Sequence, residues 1–382
     1  MKVIKRYLSI LLVIALLAFT VACGSTGTET PSNTNSATAA PTGGAAPQVT
    51  NDGKLGTTFE EIVAKAQLEK QLVWGSTLPS EAEFKEMWPV FEKRFGLKET
   101  KVEILNFNPR DMPNRIITEH NAKKYTVDLA AATEGYLDPL VHGNDLLMSV
   151  DWVKLFGKEL PKIEYTANGV ADKYKGKGLE FLHLVYGIGY NTKLIKKEDL
   201  PQTWEELGDP KYKGKFSIDD SLSPLARVPG SKEEIQALGA KIIQNTPIYA
   251  SGSPGTVKKV VSGEAAFGVL SQNSTLTEKR KGAPIDMFIP KPFPDVSSQI
   301  LYLPKTVPHP NIAVLFAAWV STEGMDIIAK YGNARARGDE PGPYGDYIRE
   351  NKLKDPYRPK TDPEVQATAE KLDLLEKMNK KK

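Results

Sequence analysis

Two apolar periods alternate along most of this chain. Leu72-Val73-Trp74 is a short apolar run closed by Gly75-Ser76-Thr77, the composition of a buried strand that ends in a turn. Residues 81–95 then switch to a helical period, which puts Phe84, Met87, Trp88 and Phe91 on one face. The alternation continues with strands expected at 102–105, 127–132, 182–190, 216–218, 265–270 and 300–303. Helices are expected at 116–122, 235–244 and 256–262, with a long amphipathic one at 311–331 and a helical turn at 204–207. Strands alternating with helices predict α/β lobes with mostly parallel sheets.

The first 50 residues follow a different pattern. Lys2, Lys5 and Arg6 precede an apolar run at 7–22, then comes Cys23, the one cysteine of the chain. A basic start, a short apolar stretch and a small residue before a cleavage point make a secretory signal, too short for a membrane span. Thr20-Val21-Ala22-Cys23 resembles a bacterial lipobox, with Thr20 in place of the usual Leu. The expectation is a signal peptide over 1–22 and a diacylglycerol thioether on Cys23. Residues 24–50 are almost entirely Gly, Ser, Thr, Ala, Pro and Asn, which cannot bury enough apolar surface to fold. Residues 23–52 therefore read as a lipidated tether, holding a globular body on the extracytoplasmic face of the cell membrane.

The body is about twice a typical domain, so two lobes are expected. Its charge is nearly balanced: the chain has 50 Lys and Arg against 47 Asp and Glu, which gives no footprint for nucleic acid. No Gly-x-Ser-x-Gly, Ser-x-x-Lys or His-Glu-x-x-His motif is present. His120, His142, His183 and His309 lack metal-ligand spacing, and Gly187-Ile188-Gly189 fails as a dinucleotide fingerprint because Thr192 stands where glycine is needed. These readings expect no cofactor and no enzymatic activity, with a lipid-anchored hydrolase kept as a distant alternative.

One set of motifs is more specific. Tyr190-Asn191-Thr192-Lys193 leads to Pro201-Gln202-Thr203-Trp204-Glu205-Glu206-Leu207, then Asp209-Pro210-Lys211-Tyr212-Lys213-Gly214-Lys215. Val261-Ser262-Gly263-Glu264-Ala265-Ala266-Phe267-Gly268 and His309-Pro310-Asn311-Ile312-Ala313 follow. In this order, across most of residues 70–335, they resemble the extracellular solute-binding proteins of ABC importers, in the branch that holds ferric-ion, aminoethylphosphonate, sugar-phosphate and thiamine binders. The resemblance implies a two-lobed, type 2 periplasmic-binding-protein-like fold, in which a small-molecule solute is caught in a cleft and delivered to a membrane permease. It places lobe 1 at 60–181 plus 304–382, lobe 2 at 188–296, and hinge crossings at 182–187 and 297–303. A monomer is expected.

In open α/β sheets ligands bind beyond the carboxyl ends of strands, against helix N-termini. Four junctions offer hydroxyls with exposed amides: Ser76 and Thr77; Thr133 and Glu134; Ser221 and Ser223; Ser253 and Thr256. The same residue types also cap helices without any ligand. Trp74 and Tyr186 are candidates to cover a carbon skeleton, while Arg227 and Arg110 could clamp an anion. Arg335 and Arg337 are weaker candidates. In the ferric branch adjacent tyrosines follow the strand after the Gly-Glu motif. Here that stretch is Leu270-Ser271-Gln272-Asn273-Ser274, so Ser271 and Asn273 suit hydrogen bonding to an organic ligand instead. The favoured ligand is a small organic anion. The alternative is a cation, iron or thiamine, held by Glu134 and the Asp219-Asp220 pair.

Overall fold

The computed structural model describes residues 52–76, 79, 81–105, 110–331, 343–350 and 360–379. Cys23 with its flanking signal and tether, Thr77, Arg335 and Arg337 lie outside the described residues.

Ten strands are present among them: β1 (Gln71–Gly75), β2 (Lys101–Ile104), β3 (Leu129–Thr133), β4 (Gly178–Leu184), β5 (Tyr186–Asn191), β6 (Phe216–Asp219), β7 (Ile248–Ala250), β8 (Phe267–Ser271), β9 (Ile285–Phe288) and β10 (Ser297–Tyr302). They form two five-stranded sheets, β2-β1-β3-β10-β4 and β7-β6-β8-β5-β9. The sheets are mixed rather than mostly parallel. β1 runs parallel to β2 and β3, and β6 parallel to β7 and β8. β10 is antiparallel to β3 and β4, and β5 is antiparallel to β8 and β9. The reason is connectivity: β5 and β10 each follow a passage from the other sheet and run back against their neighbours.

The apolar run expected as one strand at 182–190 is two. β4 belongs to the first sheet and β5 to the second, with Val185 alone between them. The return passage is residues 289–296, because β10 pairs from Ser297 to Tyr302 within the first sheet. This lies upstream of the 297–303 segment that the resemblance implied.

The first core is aromatic. Trp74, Phe84, Trp88, Phe91, Phe316 and Trp319 interlock, with Phe91–Phe316 ring centroids 5.0 Å apart and Trp74–Phe316 6.0 Å apart. The segment expected as an amphipathic helix over 311–331 is instead two helices, Pro310–Val320 and Met325–Ala329. Every residue of the first is buried, as befits a helix that is apolar all round. Its buried N-terminus is satisfied by Glu69, whose carboxylate accepts the Ile312 backbone N–H at 2.8 Å and the Asn311 side-chain amide at 2.8 Å.

The second core stacks Phe216 on Phe267 with centroids 5.5 Å apart. It is flanked by the helix Lys232–Gln244, which starts on a Ser231/Glu234 capping box. The C-terminal helix Asp362–Asn379 was expected with the first lobe. Val365 does pack there, but Leu372 and Leu375 join the second core.

Candidate ligand-binding site

The C-terminal edges of β3, β6 and β8 converge on a cleft of about 610 Å³. Leu184 and Tyr186, on either side of Val185, also line it. From the first lobe come Thr133, at the end of β3, and Ser297 and Gln299, at the start of β10. These three bond to one another: Gln299 Nε2 donates to Thr133 Oγ1 at 2.8 Å and to Ser297 Oγ at 3.2 Å, and the two hydroxyls lie 3.2 Å apart.

The second lobe offers a different surface. Asp219 ends β6, and its Oδ1 accepts the Ser221 backbone N–H at 2.8 Å and the Ser221 hydroxyl at 2.6 Å. Leu222 takes the left-handed conformation (φ 57°), which turns the chain into the short helical segment Ser223–Arg227 and brings Ser221, Ser223 and Arg227 to one wall. Ser253, on the first turn of the helix Gly252–Val261, accepts the Ser271 backbone N–H at 2.6 Å. The Ser271 hydroxyl then donates to Asn273 Oδ1 at 2.6 Å. All three line the cleft.

Arg227 is the distinctive group. It is 4% exposed and lines the cleft. Its backbone carbonyl accepts the Asp295 N–H at 2.7 Å, yet its guanidinium makes no ion pair or side-chain hydrogen bond with any described residue. A buried cation without a counter-ion is costly unless something else pairs with it. Further positive charge lies nearby: Lys360 and Lys371 are both influenced by Arg227, and burial lowers the pKa of each amine. Burial raises the Asp219 carboxyl, Asp220 adds to the rise, and the Ser221 hydrogen bonds oppose it. The Tyr186 phenol is likewise pushed up, chiefly by burial.

Of the expected site residues, Thr133, Tyr186, Ser221, Ser223, Arg227, Ser253, Ser271 and Asn273 face the cleft, and so does Arg110. Trp74 does not. It is fully buried among Phe84 and Phe316, because its ring is packed into the aromatic core of the first sheet. Ser76 is buried and absent from the cleft lining. Thr256 is fully buried, its hydroxyl donating to the Gly252 carbonyl one turn back.

Glu134 is 3% exposed and sits behind the cleft, with Oε1 lacking a hydrogen-bond partner. Burial, partly offset by Lys360, raises its carboxyl to about 7. The cleft also uses residues the motifs did not point to. Ser297 and Gln299 were signalled by polar residues opening an apolar strand. Tyr136 and Leu372 carried no such signal.

A cleft lined from both sheets, which are joined by passages at Val185 and 289–296, defines a two-lobed fold. The chain belongs to the bacterial extracellular solute-binding protein family, whose model matches residues 87–334. The family is one of binding proteins, not enzymes.

Three solved structures share the fold. The substrate-binding protein of an ABC transporter from Agrobacterium tumefaciens matches with a TM-score of 0.65 and 17% identity, over 82% of this chain and 96% of that one. Iron-bound HitA from Pseudomonas aeruginosa matches with a TM-score of 0.62 and 18% identity, over 80% and 98%. AfuA from Actinobacillus pleuropneumoniae, with fructose-6-phosphate bound, matches with a TM-score of 0.61 and 19% identity, over 80% and 97%.

A curated relative in Haemophilus influenzae, an uncharacterized protein, is 26% identical over 176 residues, which are 42% of this chain. The chain spans about half, 51%, of that relative's length. No helix among the described residues is long and apolar enough to cross a membrane.

Proposed function

We propose that this chain is the substrate-binding component of an ABC importer and that it captures a small organic anion, such as a phosphonate, carboxylate or phosphate ester. The observation that carries the ligand class is Arg227, a buried guanidinium facing the cleft with no described carboxylate paired to it. A planar fork of donors facing a cleft suits a carboxylate or phosphate oxygen pair. Ser223, Ser253 and Asn273 supply neutral donors around it. A ligand that touches both lobes favours the closed arrangement by the difference in its contacts with the two states. Cys23 is the proposed lipid attachment site, which would keep the binding cleft near a membrane permease.

The second reading, a cationic ligand, rests on Asp219 and Asp220, both at the cleft. It loses Glu134, which lies outside the lining. Among the basic residues that line the cleft Arg227 is the buried one, and this favours the anion.

Titration calorimetry on the purified protein decides between them, with phosphonates, carboxylates and fructose-6-phosphate set against ferric ion and thiamine. The expected result is heat from at least one anion, lost in Arg227→Ala. Tight binding of ferric ion or thiamine, with no heat from any anion, overturns the proposal. Membrane fractionation tests the anchor: Cys23→Ala is expected to release the protein, and retention of a normally processed variant would refute lipidation.

A further inference from the structure

The C-terminal helix Asp362–Asn379 belongs to neither sheet, yet it is fastened to both halves of the molecule. Its first turns sit on the first lobe. Val365 is 1% exposed and packs in a cluster with Met112, Ala130 and Tyr174, and the Lys173 backbone N–H donates to Asp362 Oδ1 at 3.3 Å. The middle of the helix lies against Gly135, just past β3. A Cβ added there would be 3.3 Å from Leu372 Cδ1 and 3.5 Å from Ala369 Cα, so the helix is in close contact at this point. The last turns sit on the second lobe. Leu375 is fully buried in its core, with Met378 packed alongside. Both press on Gly239, where an added Cβ would meet Met378 Cε at 3.2 Å.

A second fastening precedes the helix. Lys360 is 7% exposed. Its ammonium donates to Asp295 Oδ2 at 2.9 Å and to the Val296 carbonyl at 3.1 Å, both in the return passage between the sheets. A lysine is buried at such a place only when its charge and donors are met. Leu372 links this arrangement to binding. It lines the main cleft and also a neighbouring cavity of about 340 Å³ that shares Arg110, Tyr136, Ser221 and Ser223 with it.

We propose that residues 360–379 are a strap that ties the two lobes together on the hinge side, limits how far the cleft opens, and supplies through Leu372 a ligand-facing wall that comes from neither sheet. Two lobes joined by extended segments alone can rotate while each core stays intact. Here rotation must peel or slide an 18-residue helix whose apolar side chains are buried on both bodies, returning Leu375 or Val365 to water. The proposal rests on the two-lobed architecture and not on the identity of the ligand, so it is tested without one.

Small-angle scattering and hydrogen exchange on the full-length protein compare the wild type with Leu375→Asp and with Lys360→Met. Leu375→Asp is expected to enlarge the radius of gyration while β1 and β6 stay protected. Lys360→Met keeps the helix packing but loses the grip on 295–296, and is expected to raise exchange over 289–296 about tenfold. An unchanged radius in folded Leu375→Asp, with exchange gained in the helix alone, overturns the strap. If Leu375→Asp fails to fold, Lys360→Met decides: unchanged exchange over 289–296 overturns the proposal, and faster exchange confined to that passage supports it.

Discussion

The two sheet edges that face the cleft are built from similar residues and behave differently. On the first lobe Thr133, Ser297 and Gln299 satisfy one another within 3.2 Å, above an interlocked aromatic core. On the second lobe the hydroxyls of Ser221 and Ser271 are also engaged, but the buried Arg227 guanidinium has no ion pair with any described residue. One edge is a finished surface and the other holds an open charge. In the physics of burial the second is the less stable arrangement, and an unmet charge of this kind is what a charged ligand can complete. Hydroxyl-rich strand ends alone do not distinguish the two edges; the buried guanidinium does.

The comparison can be broken most forcefully at the first core. Trp74→Ala should destabilise the protein by about 3–5 kcal/mol through the cavity it leaves, measured by urea unfolding. In protein that remains folded, affinity should be unchanged. A selective loss of affinity would return Trp74 to the binding surface.

Arg227→Ala should lower the affinity for the captured anion by about 2–4 kcal/mol, roughly two orders of magnitude or more, read by calorimetry. The ligand-free variant should melt no lower than wild type, because an unpaired buried charge has been removed. A large drop in its Tm would mean that the guanidinium serves the fold.

Glu134 sharpens the contrast through pH. Its folded pKa, about 7, lies above the ordinary 4.5, so the folded state binds the proton more tightly than the unfolded chain. Stability is therefore lost as pH rises from the unfolded value toward 7, and the penalty persists above it. Glu134→Gln should gain about 1–3 kcal/mol over wild type at alkaline pH, and the gain should vanish below the ordinary carboxylate range. Equal gains at all pH values would show that ionisation plays no part.

The smallest effect is expected at Ser253→Ala, about 1 kcal/mol in affinity, with Ser76→Ala neutral for binding because Ser76 lies off the cleft. Calorimetry on both variants checks the pair. Equal losses would erase the distinction between cleft-facing and buried serines.

Much of this was legible in the residues. Period and turn chemistry located β1, the helix Glu81–Phe95, β6 and β8, and the strand-end serines pointed to the edge of the second sheet that lines the cleft. Trp74 misled because an interior strand and a cleft-edge strand look alike over three apolar residues. What separates Trp74 from a cleft residue is that its ring is buried against Phe84 and Phe316, and tertiary packing is not written in periodicity. The break at Val185 was hidden for the same reason, since β4 and β5 read as one apolar run. Leu372 was invisible as a cleft residue because helix Asp362–Asn379 is mostly polar, and its few apolar positions do not say which lobe they will meet.

The strand exchange has a consequence for how the molecule is made. The second sheet is assembled from residues 186–288, one uninterrupted stretch. The first sheet holds β10 between β3 and β4, so it cannot close until residues 297–302 arrive. As the chain is synthesised from its N-terminus, the sheet begun earliest must wait, with β3 and β4 unjoined, while the strands of the second sheet are all delivered. Long sequence separation of this kind slows folding and leaves strand edges exposed meanwhile. The sheet that begins first is therefore the sheet that finishes last.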